Sequence, residues 1–162
     1  MNHFKKIVTV IKLHEKDLER FMEVIKLFEV VFEMEPFPIP ASAHLQKLLG
    51  KSDFFVFAAI IENKVAGGLT AYVLDQYYAR KPIAYIYELA VDSNYQRQGI
   101  GTKLIAEMNN YCKEKGFQEV FVQAEKVDDY ALDFYRSTKP TGEEQVVHFY
   151  YTLDKTKTGL RE

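Results

Sequence analysis

The sequence lacks an excess of either charge and lacks long apolar runs. Its 162 residues include 21 basic and 23 acidic side chains, which gives a formal net charge of −2. A chain with this balance has no broad cationic surface of the kind that binds nucleic-acid phosphates or anionic membranes. Charged residues interrupt every apolar stretch before it reaches the roughly 20 residues that a membrane-spanning helix needs. We therefore expect no nucleic-acid partner and no membrane partner.

Cysteine and histidine are also scarce. The single cysteine, Cys112, cannot form a disulfide within the chain, and residues 1–6 lack the apolar core of a secretory signal. The histidines are dispersed, with no pair at the spacing of metal ligands. These features lead us to expect a cytoplasmic protein without a metal. Cys112 lies on the apolar stripe of a predicted helix, which favours a buried and inert thiol over a nucleophile.

Apolar residues, by contrast, are plentiful. They make up 48% of the chain, including 12 Phe and 11 Tyr, which is enough to fill the core of one domain. Their spacing predicts an element order of β-α-α-β-β-β-α-β-α-β, which is a mixed α/β (α+β) arrangement. We expect a single domain over residues 1–154 and a tail over 155–162. The predicted strands cover residues 7–11, 54–61, 65–73, 83–91, 120–122 and 145–153, and the predicted helices 18–32, 41–49, 100–115 and 128–135.

A glycine-bearing loop after the strand at 83–91 is the strongest chemical signal. The chain there reads Gln96-Arg97-Gln98-Gly99-Ile100-Gly101-Thr102, and a helix begins within it. Unpaired amide hydrogens and the helix dipole make such a helix start an anion site, and glycines let a pyrophosphate approach closely. Arg97 can add a salt bridge. The glycine count matches neither the nucleotide P-loop nor the dinucleotide fingerprint. A tight strand-to-helix turn would explain the two glycines equally well.

Three motifs in order resemble one family. Residues 96–101 resemble the Gln/Arg-x-x-Gly-x-Gly/Ala loop of the GNAT superfamily of N-acetyltransferases, and residues 88–92 resemble the strand that leads into it. Residues 131–135, which end in Phe-Tyr, resemble the family's last helix. The resemblance implies the GNAT fold, a mixed central sheet flanked by about four helices. It also implies acetyl-CoA as co-substrate, with the pantetheine arm on the backbone of Leu89, Ala90 and Val91 and the pyrophosphate on the 96–102 loop.

The resemblance further implies direct attack of an amine on the thioester. Tyr135 is the expected proton donor to the departing thiolate, because an unperturbed phenol has a pKa near ~10 and a thiol near ~8.5. A core aromatic beside Phe134 is the alternative for Tyr135. Glu88 is the candidate base, acting directly or through water. Its alternative is a carboxylate that only binds the substrate, and the sequence leaves both open.

A closer likeness concerns the acceptor. Residues 67–74, 85–91, 122–125 and 143–149 resemble the type I branch of aminoglycoside 3-N-acetyltransferases. This implies a role in antibiotic resistance and a cationic small-molecule amine as acceptor. The expected substrate carboxylates are Glu88, Glu125, Asp128 and Asp129, and the resemblance also allows a homodimer. The alternatives are another small amine, a polyamine or a peptide amine, and a protein that binds acyl-CoA without catalysis.

Overall fold

The computed structural model describes residues 6–154, and these divide into two compact units, one ending at Gln123 and one beginning at Ala124. The first unit holds a five-stranded sheet with three helices, and the second holds one helix. The helices and strands are β1 (Thr9–Lys12), α1 (Leu18–Val31), α2 (Ser42–Leu49), β2 (Phe54–Ile61), β3 (Lys64–Leu74), β4 (Ile83–Val91), α3 (Ile100–Glu114), β5 (Glu119–Val122) and α4 (Asp129–Ser137).

The sheet has the simple strand order β1-β2-β3-β4-β5. Strands β1 to β4 pair with one another antiparallel, whereas β5 runs parallel to β4 after the crossover through α3. Strands β2 and β3, which the sequence predicts over 54–61 and 65–73, form a hairpin. Glu62 and Asn63 at its turn have φ values of 48° and 64°, as a tight two-residue turn between twisted strands requires.

Each face of the sheet packs on helices of its own. Phe54, Val56 and Ala58 of β2 face the core formed with α1 and α2, and the alternate residues of β2 face the core formed with α3. Helix α1 approaches β3 very closely. A Cβ on Gly68 would lie 2.7 Å from Val24 Cγ1, so only glycine leaves room for this packing.

The predicted mixed α/β fold is confirmed, and β2 and β4 have the predicted bounds. None of the helices within residues 6–154 is long and apolar enough to cross a bilayer. Cys112 is buried as expected, and burial raises the pKa of its thiol to about 11. The predicted tail, 155–162, lies outside the described residues.

The structure corrects the prediction of a last strand over residues 145–153. Residues 145–153 lie in the described range but form no strand there, although most of their side chains are apolar or aromatic. Val147, Phe149 and Leu153 are 77%, 80% and 93% exposed. A strand forms only where a neighbouring strand pairs with it. The residue types in a sequence indicate strand propensity, but they do not show whether such a neighbour is present.

Candidate active site

The backbone of β4 has an open edge along its second half. Strand β5 pairs with β4 only as far as Ile86↔Val122, whereas β4 continues to Val91. On its other side β4 stays paired with β3 up to Gly67↔Val91. Among the strands of residues 6–154, none pairs with this edge of β4 beyond Ile86. Its peptide groups there can bind an extended ligand as they would bind an added strand.

A β-bulge in β4 interrupts its alternation beside this edge. Thr70 of β3 pairs with Glu88, and the next residue of β3 pairs with Ile86, so Tyr87 is an extra residue. Ile86 and Leu89 belong to the core beneath α3. Glu88 faces the opposite side of the sheet with Thr70. Residues two apart share a face in a regular strand, so Glu88 would lie on the face of Ile86 if Tyr87 took an ordinary strand position instead of forming the bulge.

Glu88 is a half-buried carboxylate held by one side-chain hydrogen bond. Thr70 Oγ1 donates to Glu88 Oε2 at 3.1 Å, and Thr70 is itself only 3% exposed. Burial raises the pKa of Glu88 above its usual value, and the Thr70 hydrogen bond offsets part of this rise. A raised pKa makes a carboxylate a stronger base. Both roles expected of Glu88, proton acceptor and substrate ligand, fit this environment.

Aromatic side chains form a row on the same face of the sheet as Glu88. Phe54 contacts Tyr72 at 5.2 Å between ring centroids, and Tyr72 contacts Tyr87 at 5.7 Å. Tyr87 contacts Tyr85 at 5.9 Å, and Tyr85 stacks on Phe121 at 4.7 Å. We call these five residues the aromatic row. The bulge at Tyr87 therefore places aromatic rings and a carboxylate side by side.

Local hydrogen bonds hold the loop that follows β4. Asp92 Oδ1 accepts from the Asn94 amide at 2.8 Å, and the Asp92 carbonyl accepts from the Tyr95 amide at 2.8 Å. The Gln96 side chain donates to the Val91 carbonyl at 3.3 Å. These bonds fix the path by which the chain leaves β4 and enters the glycine-bearing segment.

The glycine-bearing segment has the backbone geometry of an anion site. Arg97 and Gly99 lie in the left-handed region, with φ values of 60° and 78°. The first hydrogen bond into α3 joins the Lys103 amide to the Gly99 carbonyl at 3.0 Å. The amides that precede Lys103 therefore have no helical carbonyl and point out of the helix end. A Cβ on Gly99 would meet nothing within 4 Å, so its φ, rather than crowding, favours glycine.

The residues expected to bind the pyrophosphate differ in exposure. Ile100 and Gly101 are buried, so they can offer a ligand only backbone groups. The exposed members are Gln96, Arg97, Gln98, Gly99 and Thr102. The segment fits the phosphates of a coenzyme, with amides converging and the Arg97 guanidinium in solvent.

The remaining predicted site residues lie in the second unit. Asp128 caps α4, because its Oδ1 accepts from the Ala131 amide at 2.9 Å. Asp129 begins the helix, and Glu125 precedes it; all three carboxylates are exposed. The structure thus brings the predicted residues together as two groups, one in each unit.

Tyr135 on α4 has a strongly shifted pKa. Burial raises the pKa of Tyr135 to about 12, and the negative charge of Asp128 contributes to the rise. The pKa of Tyr135 therefore lies above the ~10 of an unperturbed phenol. The phenol stays protonated at any working pH, as a proton donor must. Its pKa is nevertheless further from that of a thiol than expected, which makes the transfer less favourable.

Sequence reasoning missed Thr70, Tyr72 and Tyr87. Threonine and tyrosine are common in strands, so these three residues give no signal in the sequence. Only the register between β3 and β4 shows that they lie next to Glu88. Tyr77 and Tyr78, in the loop before β4, are the more conspicuous pair in the sequence. They are 98% and 72% exposed, so they do not cover the core.

Comparison with known proteins agrees with this geometry. Residues 18–138 match the acetyltransferase (GNAT) family. N-acetyltransferase 8 from Homo sapiens is 29% identical over 111 residues, which cover 60% of this chain and 49% of that protein. The chain thus spans about half the length of the curated relatives that it matches.

Two solved structures are more similar. An aminoglycoside acetyltransferase from an uncultured soil metagenomic sample, meta-AAC0020, in complex with sisomicin, is 66% identical with a TM-score of 0.89. The match covers 91% of this chain and 97% of that one. A second metagenomic aminoglycoside acetyltransferase, HMB0005, is 29% identical with a TM-score of 0.84, over 91% and 99% of the two chains.

The fold, the open β4 edge and the amide-rich helix start agree with the family match, which covers most of the chain. The chain belongs to the acetyltransferase (GNAT) family. The family prediction is confirmed, and both solved structures described above are aminoglycoside acetyltransferases.

Proposed function

We propose that this protein is an N-acetyltransferase that transfers the acetyl group of acetyl-CoA to an amino group of an aminoglycoside. The observation that carries the proposal is the open edge of β4, which leads directly into the amide-rich segment 96–102. The acceptor class is supported by the 66% identity to an aminoglycoside acetyltransferase whose structure contains sisomicin. Transfer to the 3-N position, and a role in antibiotic resistance, rest on the sequence resemblance alone.

The two binding features match the two halves of acetyl-CoA. The pantetheine arm is an extended chain with amide groups, which can hydrogen-bond to the β4 backbone at Leu89, Ala90 and Val91. The pyrophosphate carries the negative charge that the start of α3 and Arg97 attract. The strand and the helix are joined by a short, hydrogen-bonded loop, so the spacing between the two features is fixed.

The reaction needs one proton acceptor and one proton donor. The acceptor ammonium loses a proton to Glu88, directly or through a water, and the free amine attacks the thioester carbonyl carbon. The C–N bond forms, the C–S bond breaks, and the sulfur leaves with a proton that we assign to Tyr135 on the family resemblance. The second proton that the nitrogen loses after the attack passes through solvent and restores the Tyr135 phenol. Backbone amides of β4 beyond the bulge are suited to polarise the carbonyl oxygen of the thioester.

The carboxylates of the protein favour a positively charged acceptor. Glu88 carries its carboxylate beside the open edge, and the exposed carboxylates of Glu125, Asp128 and Asp129 add negative charge in the second unit. An aminoglycoside is a polycation at neutral pH, and carboxylates both attract and orient such a molecule. Charge alone does not separate an aminoglycoside from a linear polyamine.

An acceptor panel tests the proposal. With acetyl-CoA and sisomicin, we expect release of free thiol and a mono-acetylated product by mass spectrometry, with slower reaction of spermidine and of a peptide amine. Gly99→Val should raise the KM for acetyl-CoA about tenfold, because φ at this position is 78°. Gly142→Val, also in open space but without positive φ, is the matched control.

The panel also separates the alternatives. Faster turnover of spermidine or the peptide than of sisomicin would assign a different acceptor. Coenzyme binding by calorimetry without thiol release for any amine would favour a protein that binds acyl-CoA without catalysis. Product regiochemistry by NMR would decide the 3-N assignment.

We also infer a homodimer, because Val147, Phe149 and Leu153 expose apolar side chains beyond the last helix. Among the described strands, β5 forms the outer edge of the sheet, and its backbone groups there can pair with a segment of a second copy. Light scattering of the full chain should give twice 18.9 kDa, and Phe149→Lys should shift the mass towards the monomer. Tyr77→Lys, at a position 98% exposed outside the segment, should leave the mass unchanged. A monomeric wild-type chain at about 50 μM would contradict this inference.

A further inference from the structure

We propose that Tyr72 and Tyr87 form a platform on which a ring of the amino-sugar acceptor stacks while its ammonium group pairs with Glu88. The inference rests on the proposed function and deepens it. The two rings would select a cyclic acceptor over a linear amine, because carboxylates bind the ammonium groups of both.

The two tyrosines are exposed and yet held in place. Tyr72 and Tyr87 are 39% and 51% exposed, and their rings meet edge to face at 5.7 Å and 87°. Phe54, which is buried, backs Tyr72 at 5.2 Å, and Tyr85 supports Tyr87 at 5.9 Å and 88°. A ring fixed in this way loses little conformational entropy when a ligand binds to it, so it is preorganised for stacking.

The platform adjoins the carboxylate of the proposed site. Tyr87 precedes Glu88 in the bulge, and Thr70, which binds Glu88, lies two residues before Tyr72 on the same face of β3. Burial raises the pKa of the Tyr72 phenol, and the negative charge of Glu88 adds to this rise. The carboxylate and both rings are therefore close neighbours on one face of the sheet.

This combination matches the chemistry of an amino sugar. A sugar ring presents an apolar C–H face that packs on an aromatic ring, and its ammonium substituents project from the ring edge. A ring stacked on Tyr87 can direct one such ammonium to Glu88. A linear polyamine has no ring face, and only the carboxylate would hold it.

Tyr77 and Tyr78 are the rival platform. Their rings contact each other at 5.0 Å, and they lie in the loop that joins β3 to β4, beside a shallow depression lined by residues 75–80. Within residues 6–154, no ring contact joins this pair to the aromatic row. Among the described residues, no buried aromatic ring contacts Tyr77 or Tyr78 from behind, and neither ring interacts with Glu88. The geometry therefore favours Tyr72 and Tyr87 as the platform.

Steady-state kinetics with two acceptors tests the platform. For Tyr87→Leu we expect the KM for sisomicin to rise about tenfold and the KM for spermidine to change less than about threefold. Tyr72→Leu should behave similarly. Tyr87→Phe, which keeps the ring, should stay within about twofold of wild type for both acceptors, and Tyr77→Leu should do the same.

Two results would overturn the inference. One is an equal loss for sisomicin and spermidine in Tyr87→Leu with an unchanged melting temperature. The other is a loss in Tyr77→Leu without one in Tyr87→Leu, which would move the platform to the loop. Because Tyr87→Phe preserves packing, it shows whether a loss comes from the ring face or from misfolding.

Failure of the proposed function would be seen separately, as wild-type protein that acetylates neither amine. Calorimetric titration of sisomicin would then test the platform without turnover. We expect binding about tenfold weaker to Tyr87→Leu than to wild type. Equal dissociation constants, or no binding to wild type, would overturn the platform in that case too.

Discussion

Glu88→Gln is expected to lower kcat with sisomicin by about 10²- to 10⁴-fold and to leave the KM for acetyl-CoA within about twofold. The amide keeps the shape of the side chain, and its carbonyl can still accept the Thr70 hydrogen bond, but it cannot take the proton of the ammonium. The acid limb of the wild-type pH–rate profile should lie above the usual carboxyl range, because burial raises the pKa of Glu88. The variant should lose this limb.

The kinetic split decides between the two roles of Glu88. A rise in the KM for sisomicin with kcat unchanged would show a carboxylate that only binds the acceptor. Glu119→Gln is the matched control, because Glu119 is an exposed glutamate of β5. It should leave kcat, KM and the acid limb as they are in wild type.

The same substitution should raise the melting temperature at pH 7. The pKa of Glu88 is higher in the folded than in the unfolded chain, so folding favours its protonated form. The stability that this protonation contributes is complete below the unfolded pKa and is lost as the pH rises through the folded pKa. At pH 7 the wild type therefore holds a half-buried charge that glutamine removes. Thermal unfolding at pH 7 and near pH 4 should show the advantage of the variant shrinking at low pH.

Tyr135→Phe is expected to lower kcat by about 10²-fold, the smaller end of the range for general acids. The reason is the pKa of about 12, which makes the phenol a weak donor to a thiolate while keeping it protonated. Any basic limb seen below pH 10 should accordingly persist in Tyr135→Phe. Tyr130→Phe removes a hydroxyl from an exposed tyrosine of the same helix and should leave kcat unchanged. Unchanged kcat in Tyr135→Phe would instead identify this residue as a packing aromatic.

The sequence was sufficient for the features that depend on neighbouring residues. Helix α1 follows a three-to-four-residue apolar repeat, α2 ends at Leu49 just before Gly50, and β4 has its predicted bounds. The glycine-bearing segment was also found, because its chemistry lies in consecutive residues. Each of these signals is local, and local signals can be read without knowing what a residue packs against.

Other features depend on pairing between distant residues. The Thr70–Glu88 hydrogen bond and the aromatic row follow from strand register, which a single sequence does not specify. The shifted pKa of Tyr135 follows from burial, and the exposed segment 145–153 from the lack of a strand partner within the described range. In each case the sequence gives the residue types, but it does not give the residues that they contact in the fold.

The bulge in β4 gives the strand one extra side chain without moving its carboxylate. If Tyr87 were removed, Glu88 would follow Ile86 directly, and simple alternation would keep Glu88 opposite Thr70 and away from the core beneath α3. The strand would then lose a ring of the aromatic row and keep the position of its carboxylate. The ring and the carboxylate can therefore vary independently at this point of the strand.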